Sequence, residues 1–166
     1  MIIPRDQVHE LAEACADAGE SFRGVASRLL KSQNTITSFL TRNLAHLDPA
    51  TREVVLYMFS VSIRVLDQVG GRFRKAKTSQ INAAAARVKE QVDAILPFDK
   101  GFPERVRTVE WRGQPHLLDE CLWALFERDE KEEDEVDVPH DQAGLMFMLL
   151  WVAIEALNEN WTPPKA

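Results

Sequence analysis

The most distinctive polar feature of the sequence is a basic stretch at residues 70–77, Gly70-Gly71-Arg72-Phe73-Arg74-Lys75-Ala76-Lys77. Two glycines followed by four cations and an aromatic ring suit the binding of a phosphate or a nucleic-acid backbone. The spacing differs from a P-loop, because no Gly-Lys-Ser/Thr follows the glycines. The pattern favours the alternative of a helix end whose cations interact with the helix dipole or with the acidic segment 127–137. The candidate binding residues are Arg72, Arg74, Lys75 and Lys77.

Histidines stand near carboxylates at three places, each at the start of an expected helix. A metal site in a helical bundle needs several such groups from different helices, typically with Glu-x-x-His on two of them. That motif is absent from this sequence, and carboxylates at helix starts ordinarily act as caps or dipole partners. We therefore predict no metal and no cofactor. The three places are His116 with Asp119 and Glu120, Asp6 with His9, and His140 with Asp141.

The sequence contains no set of residues with the pattern of a known catalytic site. Glu155 ends an apolar run, where burial could raise its pKa and let it act as an acid or base. No complementary group can be identified, and the favoured interpretation is that Glu155 marks the point where a helix emerges into solvent. No Gly-x-Ser-x-Gly occurs, and neither cysteine has a histidine nearby. We predict no catalytic residue and lean towards a non-enzymatic protein.

The bulk composition is that of an ordinary globular domain. The chain has 166 residues, 45% of them hydrophobic and 28% charged. Its net charge of −6 is local, because residues 127–137 hold eight acids and two bases, and the remainder has 18 of each. Overall charge therefore makes nucleic acid an unlikely partner. Carboxylate spacings such as Glu127 with Glu130 and Glu132 with Glu135 lie inside this acidic run, without interleaved apolar residues, so we assign no family.

The two cysteines and the N-terminal residues bear on the compartment. Cys15 and Cys121 are far apart in sequence and match no metal or redox spacing. Their apolar or small neighbours indicate buried thiols, which suit a reducing compartment. No apolar signal region follows Met1. We predict a cytoplasmic protein without a membrane segment.

The elements are expected to be arranged around residues 143–154, which carry no polar side chain for twelve positions. This run is shorter than the roughly 20 residues of a membrane span. A helix that is apolar on every face belongs inside a core. Pro139 suits the start of such a helix, and Thr162-Pro163-Pro164 stops it. We therefore predict a buried helix over about 140–160.

The N-terminal third carries a heptad-like seam. Its members fall at alternating steps of three and four, which predicts one long helix to about Leu44. Ser32-Gln33-Asn34-Thr35 forms helices poorly, so a break near Asn34 is the alternative. The seam residues are Val8, Leu11, Cys15, Ala18, Phe22, Val25, Leu29, Ser32, Ile36 and Phe39.

Three further helices complete the predicted fold, over about 49–69, 79–96 and 116–131. Asp48-Pro49 is a strong start signal for the first of them. Residues 97–116 are punctuated by proline and glycine, with 106–112 as a short extended piece that turns at Gly113-Gln114. We therefore predict an all-α, single-domain bundle of about five helices over 1–166.

The leading functional hypothesis is a helical protein that acts through protein–protein contacts, as a homodimer. The seam and the amount of strongly apolar helix surface both motivate it, since a symmetric pair commonly covers such an excess. One alternative is a small metal-dependent enzyme or metal binder that uses the carboxylates and histidines of 116–141. The other is a phosphate or nucleic-acid binder that uses the basic stretch 70–77.

Overall fold

The structure, a computed structural model, describes residues 1–128 and 138–165 and confirms the all-α class. These residues form eight α-helices, a π-helical turn and two short antiparallel strands, so the count of five is wrong. The single-domain bundle over 1–166 stays a prediction. The elements are α1 Arg5–Ala18, α2 Glu20–Ser32, α3 Asn34–Asn43, α4 Pro49–Val69, β1 Arg72–Phe73, α5 Thr78–Asp93, α6 Phe102–Arg107, α7 Pro115–Leu122, the π-turn Trp123–Glu127, α8 His140–Glu159 and β2 Trp161–Thr162.

Helix α8 is the buried helix that its apolar run predicts. It packs against α3, α4, α5 and α7, and residues 149–157 are all buried. Phe147, Trp151 and Ile154 are 0% exposed. Because neighbours cover every side, no wet face is needed along most of the helix. Buried apolar side chains throughout the described chain form one continuous cluster around it.

Helix α4 has the bounds that the start signal predicts. The Asp48 side chain accepts a hydrogen bond from the Thr51 backbone N–H at 2.9 Å, and Pro49 occupies the first helical position. This bond holds the pKa of Asp48 below its usual value. Nine of the helix's residues are buried, since α1, α2, α3 and α8 all pack against it.

The single long N-terminal helix is wrong. The chain breaks at Gly19, which has φ +54°, and again at Gln33, one residue before the predicted alternative break. Gln33 is buried, and its side chain bonds the Arg74 carbonyl and the Ala76 N–H at 2.9 and 3.1 Å. These distant bonds offset the helical bonds lost at the break. Three shorter helices result.

The seam and the apolar surface that motivated a homodimer are largely covered within the chain. Val8, Phe22 and Leu29 are buried, and α1 and α2 pack on α4. Helix α8 is covered by its own chain. A homodimer therefore stays a prediction, without the apolar excess that suggested it.

The irregular connection contains a helix that the punctuation conceals. Residues 102–107 form α6, so an extended piece over 106–112 is wrong. The Arg105 side chain donates to the carbonyls of Ile95 and Pro97 and to Asp99, which fixes the entry to α6. The non-helical loop that follows, residues 108–114, leads directly into α7.

Both cysteines are free, buried thiols, as the sequence indicates. Burial raises the pKa of Cys15, and it raises that of Cys121 to about 12. In residues 1–128 and 138–165 no helix has the length and apolar character needed to cross a bilayer. The cytoplasmic compartment stays a prediction.

Candidate functional site

The basic stretch lies on the surface, between α4 and α5. Arg72, Arg74, Lys75 and Lys77 are all exposed, whereas Ala76 between them is buried. The interpretation as a plain helix end is incomplete, because β1 pairs with β2 here. The alternative that these cations pair with the acidic segment falls mainly on residues 129–137, which lie outside the described residues.

The structure gives His9 a partner that its sequence neighbours did not suggest. Its Nδ1 lies 3.1 Å from both oxygens of Glu120, and its Nε2 lies 3.0 Å from Glu13. Arg5 also donates to Glu120. This cluster joins α1 to α7, and its groups already satisfy one another, which is the behaviour of a structural ion-pair network.

His116 and Asp119 do meet, as their spacing predicts, at 3.3 Å. Asp119 is also approached by Arg107 and Arg112 at 3.4 and 3.6 Å. Three positive or ionisable neighbours around one carboxylate leave it poorly suited to bind a cation. The arrangement ties α6, the 108–114 loop and α7 together.

Of the acidic segment 127–137, the structure describes only Glu127 and Arg128. The central helix begins at His140. Glu127 receives two hydrogen bonds from Arg107, at 2.6 and 3.1 Å, and these hold its pKa below the usual value. The His140 ring faces Phe126 at 5.8 Å. Glu130, Glu132 and Glu135 lie outside the described residues. Within 1–128 and 138–165 no group of three His, Cys, Asp or Glu could hold a metal ion.

Glu155 does not mark an emergence into solvent. It is 9% exposed and lies at the floor of a cavity of about 570 Å³, named here the Glu155 pocket. Both carboxylate oxygens accept the Gly113 N–H, at 2.9 and 3.2 Å. Burial raises the pKa of Glu155, while the Gly113 bond opposes that rise. The indole N–H of nearby Trp151 is buried and has no hydrogen-bond partner among the described residues. It nevertheless favours the charged carboxylate and so opposes the rise in the pKa of Glu155. The lining residues are Ala83, Ala84, Arg87, Glu110, Trp111, Arg112, Gly113, Glu155, Asn158 and Glu159.

The 108–114 loop forms one wall of the Glu155 pocket. The Arg87 guanidinium lies over the Trp111 ring, 4.9 Å from its centre, and the centre of the Trp151 ring is 6.1 Å from that of Trp111. A Cβ on Gly113 would come within 2.4 Å of Asn158 Nδ2, so a larger residue would displace the Asn158 side chain. The sequence signal for this site was a glycine in a proline-rich connection, which gives no indication of its distant partner.

Gln114 is a buried polar residue that sequence reasoning missed. It is 1% exposed, and its Oε1 accepts the Ile3 N–H at 3.2 Å. Its Nε2 donates to the Met1 carbonyl at 2.7 Å and to Asn158 Oδ1 at 3.1 Å. One side chain thus joins the N-terminal residues, the loop and α8.

A second cavity, about 550 Å³, runs between α1, α4 and α7 and is named here the α1–α4–α7 groove. Buried Val8, Val61 and Val65 contribute to its apolar lining. Two exposed aromatic residues, Tyr57 and Trp123, also line it. Neither aromatic residue stands in a distinguishing context in the sequence. Other lining residues are His9, Ala12, Glu13, Ala16, Asp17, Met58, Ser62, Leu117, Glu120, Cys121, Ala124 and Arg128.

Comparisons with protein-family models, with curated proteins and with solved structures gave no match for this chain. The two cavities and the basic stretch remain the candidate functional sites.

Proposed function

We propose that the protein is a non-enzymatic binding protein and that its α1–α4–α7 groove receives a segment of another protein. The observation that carries this proposal is the position of Tyr57 and Trp123. They are 41% and 36% exposed, and both line the same groove. Exposed aromatic side chains beside an apolar cavity have the composition of binding hot spots.

The groove favours a partner segment with apolar side chains and cations at its edge. Valines line the cavity, and the small side chains of Ala12 and Ala16 leave room for inserted groups. Glu13 and Asp17 are exposed and line it too. An amphipathic helix with lysine or arginine beside its apolar stripe would complement this surface.

A different protein fits the groove better than a second copy does. In a two-fold symmetric pair the same surface patch meets itself. Such a pair would bring the exposed carboxylates of Glu13 and Asp17 from both copies into one interface, and like charges gathered in this way are unfavourable. The homodimer remains the alternative, and the mass of the protein in solution decides between them.

The metal alternative lacks a favouring observation. The described histidines and carboxylates of 116–141 include His116, Asp119 and Glu120, which have ion-pair partners. Magnesium is therefore expected to leave the thermal unfolding midpoint unchanged. A magnesium-dependent rise that chelator reverses would restore the metal-dependent alternative.

The proposal can be tested with two designed helical peptides that share one apolar stripe, one flanked by lysines and one by glutamates. We expect the lysine peptide to shift the NMR signals of groove residues and to bind more tightly. Trp123→Ala and Tyr57→Ala should each weaken it by about 10-fold or more, as for hot-spot residues. Leu96→Ala, which removes an exposed apolar side chain outside the groove lining, is the matched control and should have no effect.

Three outcomes would contradict the proposal. Peptide-induced shifts could map away from the groove, the glutamate peptide could bind as tightly, or the aromatic substitutions could leave affinity unchanged. Light scattering provides a separate check. A dimer mass that reverts to monomer with Trp123→Asp would assign the groove to self-association instead.

A further inference from the structure

The basic stretch is the densest run of positive charge in the sequence, and none of its residues lines the groove. Four cations occupy six consecutive positions, and all four are exposed. Across residues 1–128 and 138–165, no ion pair involves any of these four cations. Four neighbouring cations without acidic partners in that part of the chain repel one another, and an anionic ligand relieves that repulsion.

The backbone beneath these cations is held in place by distant parts of the chain. The Arg74 N–H donates to the Asn160 carbonyl at 2.8 Å, and β1 pairs with β2. Gln33 bonds both the Arg74 carbonyl and the Ala76 N–H. The Lys77 N–H donates to Gln80 Oε1 at 2.9 Å. A cationic surface that is ordered in advance loses less entropy when it binds.

The geometry of the stretch suits a linear anion. Arg72 and Arg74 lie two residues apart, which in extended backbone is about 6.6 Å. Phe73, between them in sequence, packs against the core, so the segment that carries the two arginines is anchored from its other face. The stretch then runs into α5, whose first turn holds no acidic residue and whose dipole is positive at this end.

We infer that Arg72, Arg74, Lys75 and Lys77 form a binding surface for the phosphate backbone of single-stranded nucleic acid. The overall charge of the chain argues against a field over the whole molecule, but its acidic excess lies in residues 127–137. The basic stretch is therefore a local site. This inference does not depend on the proposed function of the α1–α4–α7 groove.

The test measures fluorescence anisotropy of a labelled single-stranded oligonucleotide at several salt concentrations. Neutralising four phosphates predicts a slope of log K against log[salt] of about −2.8, so that affinity falls roughly 50-fold between about 50 and 200 mM salt. Each single alanine substitution should reduce that slope by about 0.7. The quadruple substitution of Arg72, Arg74, Lys75 and Lys77 by alanine should abolish binding.

The matched control replaces four exposed cations elsewhere by alanine, and it should leave binding within about two-fold of the parent because electrostatic steering falls off with distance. The control residues are Arg23, Arg28, Lys31 and Arg42. The double variant Lys75→Ala with Lys77→Ala repeats the test if the quadruple variant unfolds, which its circular dichroism spectrum shows.

Several results would overturn the inference. One is an absence of binding at low salt, and another is an equal loss of affinity in the control variant. Tighter binding of a polyglutamate peptide than of the oligonucleotide would assign the surface to an acidic protein segment. Complete competition by millimolar inorganic phosphate would assign it to a small phosphate ligand.

Discussion

The Glu155 pocket and the α1–α4–α7 groove have nearly the same volume, about 570 and 550 Å³. They differ in whether their side chains are bonded within the fold or exposed to solvent. In the Glu155 pocket the buried carboxylate binds the Gly113 N–H, and Asn158 binds Gln114. In the groove, Tyr57 and Trp123 remain exposed.

Convergent polar groups and a shifted pKa do not by themselves identify a reactive site. Glu155 has the raised pKa expected of a catalytic acid. Its oxygens nevertheless hold the 108–114 loop against α8, and Arg112 is bonded to backbone carbonyls of the same region. The polar groups of the Glu155 pocket therefore hold parts of the fold together, whereas the groove leaves two aromatic side chains exposed.

Gln114→Ala should produce the largest effect and confirm the structural role of the loop. It removes three hydrogen bonds and leaves the Ile3 N–H without its partner. We expect the free energy of unfolding to fall by about 3 kcal/mol, because an unsatisfied buried group costs more than an average hydrogen bond. Urea unfolding measures it, with exposed Gln7→Ala as the control. A loss below about 0.5 kcal/mol would contradict this role.

Gly113→Ala should have the next largest effect. The added Cβ would lie 2.4 Å from Asn158 Nδ2 and 3.0 Å from Glu155 Oε2. We expect a loss of about 1–2 kcal/mol in the free energy of unfolding, since Asn158 is itself held by Gln114. In Gly24→Ala, by contrast, the new Cβ meets nothing within 4 Å inside α2. That control should gain about 0.5–1 kcal/mol from helix propensity. Equal changes in the two variants would refute the close-packing argument.

Glu155→Gln should alter the pH dependence of stability. Burial raises the pKa of Glu155 in the folded chain above its ordinary value of 4.5. The folded state therefore binds more protons than the unfolded state just above that pH, and stability declines as the pH rises. The glutamine variant retains an acceptor for Gly113 but should lack this decline. Urea unfolding at several pH values between about 4 and 7 compares them. Exposed Glu159→Gln should follow the parent, and a parallel profile for Glu155→Gln would argue against the shift.

Trp123→Ala should have the smallest effect on stability and thereby separate the groove from the pocket. Its side chain is 36% exposed and makes an edge contact with His9 at 5.4 Å. We expect the free energy of unfolding to change by less than about 1 kcal/mol, while affinity for the lysine peptide falls. A loss of several kcal/mol would mean that Trp123 serves the fold rather than a partner.

Local signals predicted those elements that local interactions determine. Asp48-Pro49 defined the start of α4, because an N-cap acts within one turn. The apolar run predicted α8 for a different reason, because a helix without a polar face must be buried. The break at Gly19 was concealed by a seam that continues through it. The break at Gln33 was only an alternative, suggested by the poor helix formers around it, because the hydrogen-bond partners that stabilise it lie 41 and 43 residues away.

In the candidate sites, too, some features follow from the local sequence and others depend on tertiary packing. The four cations of the basic stretch were evident as a cluster, but their exposure and the anchoring of their backbone required the structure. The α1–α4–α7 groove could not be predicted, since Tyr57 and Trp123 belong to helices that meet only after packing. Glu155 was noticed for its apolar neighbours, yet its burial depends on a loop 42 residues away.

The sequence by itself determined the all-α class, the bounds of α4 and the burial of α8. Helical periodicity and capping act between residues at most four positions apart, so the chain encodes them locally. Tertiary structure decided that His9 meets Glu120, 111 residues away, that Glu155 holds Gly113, and that two aromatic residues flank one groove. Such pairings follow from the way that helices pack around α8, and packing depends on side-chain shape across the entire core.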